Sequence, residues 1–268
     1  MPELPEVETT RRGIAPLLTG QTVERVVVRQ PRLRWPVPDL EHLTGRRLEA
    51  VDRRAKYLLL RFPHGTLLMH LGMSGSLRVL PPDSPPQAHD HFELHLGGRC
   101  LRLRDPRRFG AVLWTDRPPE DHPLLRDLGP EPLSEAFDAG YLHAQAQRRQ
   151  VPIKQLLMDG KVVVGVGNIY ATESLFLAGI HPARACRRIA RARIARLVDE
   201  VKAVLERAIA QGGTTLRDFQ RQDGRPGYFA QELLVYGRAG QPCPRCGRTL
   251  KSRLLGQRNT TWCPGCQR

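Results

Sequence analysis

Two Cys-X2-Cys turns, Cys243 with Cys246 and Cys263 with Cys266, stand sixteen residues apart near the end of this 268-residue chain. That spacing brings four thiolates around one ion and reads as a tetrahedral zinc site. Four protein ligands close the coordination sphere, so the expected zinc is structural. Four of the six cysteines fall in these last 26 residues. Such clustering argues for metal over disulfides, and so for a reducing, cytoplasmic compartment. Cys100 and Cys186 stand alone and are expected to be buried and inert. The segment between the turns can form a hairpin bearing Arg248, Lys251, Arg253 and Arg258, and no acid follows Glu232. A cationic, acid-free hairpin favours phosphate binding over a generic zinc ribbon.

The whole chain repeats that bias. Its 42 Lys+Arg outweigh 27 Asp+Glu, for a formal charge of +15. A surplus of this size points to a polyanion, with nucleic acid ahead of anionic membrane. No apolar run approaches the length of a membrane span. The acidic, proline-containing start does not look like a secretory signal.

Hydrophobic periodicity divides the chain. Residues 5–18 predict an amphipathic helix, with Val7, Ile14, Leu17 and Leu18 on one side, Pro16 awkwardly late, and Gly20 ending it. The period then becomes two. Short strands are predicted at 22–29, 47–52, 57–62, 66–71, 76–80, 92–96, 100–104 and 111–115, with Gly and Pro between them. Phe92, Leu94 and Leu96 alternate with His91, Glu93 and His95. Many short, closely spaced strands predict a β-sandwich or barrel. Residues 81–86 form a proline-rich loop. After 128–132 the pattern is helical to Gln211. Its clearest helix is 192–210, with Ile194, Leu197, Val198, Val201, Leu205 and Ile209 on one face and Gly212-Gly213 as its stop. The fold class is therefore α+β and multidomain: β domain, helical domain, metal module.

The first eight residues, Met-Pro-Glu-Leu-Pro-Glu-Val-Glu, hold candidate chemistry. Pro2 is small enough to permit removal of Met1, which would leave a secondary amine with a pKa near 8. Such an amine can attack carbon and give an iminium ion. Glu3 and Glu6 set two carboxylates beside it for acid–base work. The competing reading is a plain helix start, with Pro5 and the acids suited to a first turn. Elsewhere, Gly165–Tyr170 is a glycine turn feeding a helix, where backbone N–H groups and Asn168 can hold a phosphate. Lys56, in Arg53–Tyr57, reads as either a solvated charge or a catalytic group. Asp105–Gly110 sets Phe109 beside two arginines, as a base-stack wedge or as a buried turn aromatic. His89-Asp-His91 lacks a third ligand nearby and is not read as a second metal site.

With these pieces in order, the chain resembles the formamidopyrimidine-DNA glycosylases over its whole length. The resemblance is carried by residues 1–9, 53–57, 70–76, 105–110, 165–170, 212–219, 236–238 and the ribbon 243–266. It implies a catalytic β-sandwich with a leading helix over 1–130, a helix–two-turn–helix DNA-binding domain over 131–230, and a zinc-finger hairpin over 231–268. It also implies that the damaged nucleotide is turned out of the duplex into a pocket. Within that resemblance Pro2 attacks the sugar C1′, Glu3 donates a proton that helps open the ring, and Glu6 supports the lesion pocket. Lys56 acts as the acid in β-elimination and Arg258 acts in δ-elimination. Met73, Arg107 and Phe109 fill the vacated stack. His89, Arg107, Arg149, Asn168 and Lys154 contact DNA, and residues 214–229 cap the lesion. Arg149 stands where the family often has lysine, which leaves its contact geometry open.

The implied substrate is duplex DNA carrying oxidised purines such as 8-oxoguanine and formamidopyrimidines. The implied cofactor is one structural zinc, and the implied state is a monomer with no membrane partner. Two rivals share some of these features. An endonuclease VIII-like glycosylase for oxidised pyrimidines has the same plan, but tends to carry glycine where this chain has Leu4. A zinc-ribbon DNA-binding protein without activity would need neither a free Pro2 nor its acids.

Overall fold

The computed structural model describes residues 2–213 and 232–268. They form two compact units, residues 2–127 with 211–213, and residues 128–210 with 232–268. The zinc module belongs to the same unit as the helices that precede it.

In the first unit, α1 (Leu4–Leu18) leads into eight strands: β1 (Val23–Val28), β2 (Ala50–Arg54), β3 (Tyr57–Phe62), β4 (Gly65–His70), β5 (Ser76–Leu80), β6 (Asp90–Leu96), β7 (Arg99–Arg104) and β8 (Ala111–Thr115). They make two antiparallel four-stranded sheets, β1-β6-β7-β5 and β2-β3-β4-β8. Inward residues of both sheets share one core. Leu58, Leu60 and Met69 come from one sheet, Phe92, Leu94, Leu101 and Leu103 from the other, and Val7, Ile14 and Leu18 of α1 join them. Each such side chain contributes about 1.5–3 kcal/mol by leaving water. Of the sandwich and the barrel expected from the strand spacing, the sandwich forms, as the family resemblance implies. Gly97 and Gly98 both take positive φ in the tight β6–β7 turn, a two-residue hairpin geometry that L side chains resist.

One expected boundary shifts, and two local features stand out. The helix expected over 5–18 forms and runs through Pro16, which is exposed, so the carbonyl it leaves unpaired within the helix can face water. The second strand lies two to three residues later than periodicity suggests. Arg47 makes only an isolated bridge to Thr22, whereas Arg53 and Arg54 pair with Leu58 and Tyr57. The polar alternates of β6 are not solvated. His91, Glu93 and His95 are all buried, and Glu93 is held by Arg29 at 3.1 Å, His95 at 3.0 Å and Arg102 at 2.9 Å.

In the second unit lie α2 (Ala139–Gln147), α3 (Ile153–Met158), α4 (Asn168–Leu177) and α5 (Arg191–Ala210). Asp138 caps α2, its carboxylate accepting the Tyr141 N–H at 2.6 Å. The predicted apolar stripe of α5 is buried throughout. A hairpin, β9 (Lys251–Leu255) and β10 (Arg258–Trp262), spans the interval between the cysteine pairs. Phe176 of α4 packs with Val235, Leu250, Cys243 and Cys263 in a small core of its own.

Candidate active site

Pro2 precedes α1 and is buried, as are Glu3 and Glu6. Glu3 and Glu6 form a capping box, in which the Glu3 N–H donates to Glu6 Oε2 at 2.7 Å. The helix-start reading of these acids is thus correct as local structure, and it fixes both carboxylates beside Pro2. Glu6 is fully buried. A Cβ added at Gly213 would lie 3.1 Å from its Oε1, so Glu6 lines the backbone that leads into residue 214. The expected lesion-capping segment 214–229 lies outside the described residues.

Lys56 sits in the two-residue turn between β2 and β3, where Ala55 takes a φ of 54°. Arg53 anchors that turn, donating from Nη1 to Ala55 O at 2.9 Å and from Nε to Glu8 Oε2 at 3.0 Å. Burial pushes the Glu8 carboxyl up, but hydrogen bonds from Arg11, Arg12 and Arg53 outweigh it and hold Glu8 at about 2. Opposite Tyr57 in the register lies His70, with ring centroids 4.7 Å apart. Burial, then the positive charges of Lys56 and Arg34, depress His70 to about 4. Its Nδ1 accepts the Gly72 N–H at 2.9 Å, so the neutral ring carries its proton on Nε2. Lys56, Arg34 and a neutral His70 donor thus give a cationic corner suited to an anion.

The proposed wedge residues lie on two neighbouring loops of this unit. Phe109 is 44% exposed, with the Arg107 guanidinium 5.0 Å over its ring. Met73 is half-buried on the β4–β5 loop. Asp105, fully buried, ties the two loops together. Its Oδ1 accepts from Ser74 Oγ and its Oδ2 from Gly110 N, both at 2.7 Å, while Ser74 Oγ accepts the Arg107 N–H at 3.2 Å. Gly72 takes a positive φ where a Cβ would stand 2.4 Å from the Phe109 carbonyl carbon. The exposed Phe109 excludes the buried-aromatic reading of its turn. His89 is exposed at a φ of 73°.

In the second unit, Lys154 is 1% exposed. Its Nζ donates to Thr260 Oγ1 at 2.6 Å and to Asn168 Oδ1. Asn168 in turn donates to Asn259 O at 3.1 Å. These two expected DNA contacts therefore also join α3, α4 and β10. Arg258 is exposed at the start of β10, beyond the Gly256-Gln257 turn. Arg149 is half-buried and donates to Gln145 O at 3.1 Å.

The four tail cysteines present ligand atoms within 4.8 Å of one another. Cys243 and Cys266 sulfurs are 3.9 Å apart, and those of Cys246 and Cys263 are 3.4 Å apart. A tetrahedron with zinc–sulfur bonds of about 2.3 Å has edges of about 3.8 Å, so the cluster fits zinc. Burial and the neighbouring sulfurs push Cys266 up to about 12, so four thiolates form together only around a cation. A second group of possible ligands, Glu93, His95 and Cys100, is engaged by arginines instead.

Family models match three segments. Residues 1–112 match the formamidopyrimidine-DNA glycosylase N-terminal domain and residues 128–220 match its H2TH domain. Residues 240–268 match a zinc finger shared with isoleucyl-tRNA synthetase. Formamidopyrimidine-DNA glycosylases of Thioalkalivibrio sulfidiphilus and Alkalilimnicola ehrlichii are 62% and 60% identical, each over the full length of both chains. The chain belongs to the formamidopyrimidine-DNA glycosylase family. Among solved structures of this family, the Thermus thermophilus protein is 42% identical with a TM-score of 0.90, covering 99% of this chain and 98% of that one. The Lactococcus lactis enzyme bound to DNA with an abasic site is 33% identical with a TM-score of 0.89, covering 99% of each chain. Such relatives leave no place for a zinc-ribbon protein without activity. The Lactococcus lactis enzyme has also been solved with DNA containing Fapy-dG, a lesion derived from a purine nucleoside.

Several residues that position this glycosylase site escape sequence reasoning. Asp105 looks like a turn starter, and its partner Ser74 is 31 residues away. His70 gains its ring partner from the β3–β4 register, and Arg34, in the segment after β1 with its N–H bonded to Gly110 O, acts on it through charge. Glu173 lies within a helix, yet its buried carboxylate accepts the N–H groups of Leu234, Val235 and Tyr236 at 2.7–3.0 Å. Burial pushes its pKa up despite those bonds. No local spacing signals a contact across some sixty residues.

Proposed function

We infer that this chain excises oxidised purines from duplex DNA and then cleaves the abasic site by β,δ-elimination through an N-terminal proline Schiff base. The observation that carries this reading is the start of α1, where a buried Pro2 immediately precedes two buried carboxylates locked in a capping box. Once Met1 is removed, the Pro2 nitrogen lone pair attacks C1′ and the bond from C1′ to the base breaks, the base leaving with a proton. Glu3 protonates the ring oxygen as the ring opens, which gives an iminium. Loss of a C2′ proton then breaks the C3′–O bond, with Lys56 as the acid at the leaving phosphate. A second elimination, assisted by Arg258, breaks the C5′–O bond. Hydrolysis of the iminium frees the enzyme, and the DNA is left with a one-nucleotide gap.

Met73, Arg107 and Phe109 fill the vacated stack, and Glu6 supports the extruded base. His89, Arg149, Asn168 and Lys154 hold the backbone directly or through one another. The zinc, held by Cys243, Cys246, Cys263 and Cys266, supplies no chemistry and fixes the hairpin that carries Arg258. Catalysis is assigned to 1–130, duplex binding to 131–230 with its lesion loop, and the late elimination to the 231–268 hairpin. Among the described residues no helix is long and apolar enough to cross a membrane. The enzyme is proposed to act as a monomer on DNA in the bacterial cytoplasm.

Borohydride tests the central step, because it reduces an iminium to a stable amine. Protein lacking Met1 should be trapped on DNA containing 8-oxoguanine, with the crosslink in the N-terminal peptide. Protein with residues fused ahead of Pro2 has only an amide nitrogen there and should trap nothing. Equal trapping by both would transfer the nucleophile to an internal lysine and end the proline reading.

A further inference from the structure

The outer face of the β1-β6-β7-β5 sheet carries an arginine-lined cavity that no step of the lesion chemistry uses. Arg78 of β5 stands directly opposite Arg102 of β7, and Arg104 follows Arg102 on the same face. Facing like charges destabilise a sheet unless something neutralises them. Arg102 is neutralised. It is 4% exposed, lies 2.9 Å from Glu93 and 3.4 Å from Asp90, and donates to Ser84 O at 2.7 Å and Pro85 O at 3.0 Å. The proline-rich loop is thereby pinned over the sheet.

Arg104 lacks such an arrangement. Its Nε is buried and, among the described residues, meets no hydrogen-bond acceptor. Asp90 is its cross-strand neighbour, but that carboxylate already takes the Gln87 N–H at 2.7 Å and pairs with Arg102. Asp105, the next residue, is committed to Ser74 and Gly110. Between the loop and these side chains lies a cavity of about 220 Å³, lined by Arg78, Arg102 and Arg104 and by one acid, Asp90. A cavity lined by three arginines and one acid, with the Nε of Arg104 left without an acceptor beside it, carries positive charge in excess and suits a tetrahedral oxyanion.

We propose that this cavity is a phosphate-binding site, separate from the lesion pocket. Its position names two sources of that phosphate. Gln87 and Asp90 flank the exposed His89, whose carbonyl accepts the Asp105 N–H at 3.0 Å. A duplex followed by His89 and Arg107 can therefore place a backbone phosphodiester here, and free phosphate offers the same oxygens. The free-phosphate source is independent of the glycosylase reading.

Two measurements on the full-length, zinc-loaded protein decide the matter. Calorimetry with sodium phosphate, against sodium chloride of equal ionic strength, should show saturable one-to-one binding. Arg104→Gln should weaken it about tenfold, and Arg104→Lys should weaken it less, because a point charge remains. Binding of an undamaged duplex across salt concentrations separates the sources. If DNA fills the cavity, Arg104→Gln lowers the log–log slope by about 0.9, one phosphate's worth. If free phosphate is the occupant, that slope is unchanged while the phosphate heat is lost. Melting temperature and zinc content matched to the parent establish that the variant folds, and Arg78→Gln gives the same readings if Arg104→Gln does not. Phosphate heat equal to the parent's in both glutamine variants overturns the site. So does an absence of phosphate heat in the parent combined with an unchanged slope.

Discussion

Replacing Asp105 by Asn removes one acceptor from a buried knot and changes almost no volume. In the parent, Asp105 Oδ1 takes the Ser74 hydroxyl and Oδ2 takes the Gly110 N–H. The asparagine has one oxygen for two donors. Its least costly rotamer keeps that oxygen on Gly110 and turns the amide N–H₂ toward Ser74. Ser74 Oγ, which already accepts the Arg107 N–H, can accept this second donor, but its own proton then loses its partner. One stranded buried donor costs about 1–3 kcal/mol, and a charge-assisted bond becomes a neutral one, so the loss should be about 2 kcal/mol. For a unit of this size that corresponds to a melting temperature lower by roughly 4–8 °C. The same knot holds the Met73 loop against the Arg107–Phe109 turn, so the wedge should loosen as well. Excision of 8-oxoguanine from duplex should fall about tenfold, equivalent to about 1.4 kcal/mol in the barrier. Borohydride trapping on an abasic single strand needs no wedge and should persist. A variant that melts within about 1 °C of the parent and excises normally would refute the knot as the support of the wedge.

Other outcomes follow from the same geometry. His70 has a folded pKa of about 4 against 6.5 unfolded, so the unfolded chain binds the extra proton between those values. Stability should fall by roughly 3 kcal/mol as pH drops from 6.5 to 4, and His70→Asn should flatten that stretch of the urea-midpoint profile. If the variant keeps the full slope, His70 is not its source. Glu8, held at about 2, should contribute its own loss only at lower pH, between 4.5 and 2. Cys243→Ser should lose zinc and DNA affinity together, as read by metal analysis and anisotropy; retained affinity without zinc would dissociate the hairpin from binding. If about six phosphates are contacted, the log–log salt slope of duplex affinity should be near −5, and a flat profile would exclude a backbone-tracking surface. Arg258→Ala should reduce δ-elimination more than base release, and equal losses in both would remove it from the late step.

Periodicity carried much of the fold because the eight strands bury alternating apolar residues in one shared core, and a period-two signal survives wherever one face is dry. On β6 it found the strand and its core face, while the polar alternates are covered by Arg25, Arg29 and Arg102 rather than by water. Cysteine spacing carried the metal site because the ligands come as two local pairs. Pro2, Glu3 and Lys56 stand in short contiguous motifs, which made them legible. Asp105, His70 and Glu173 act through partners distant in sequence, and register or helix packing alone brings those partners within reach. Lys154 was legible as a cation, but its burial between α4 and β10 was not.

The Arg53 side chain has a consequence for timing. It grips Glu8 on the helix that begins beside the amine and, with its other nitrogen, grips the turn that presents Lys56. The group that forms the covalent link and the group assigned to the first strand break are thus mounted on one brace. A sugar captured by the first need not wait for a separate element to arrive with the second. Loosening that brace should lengthen the life of the captured intermediate before it slows the capture itself, and the gap between the two rates would measure how much of the enzyme's economy of motion is stored in a single guanidinium.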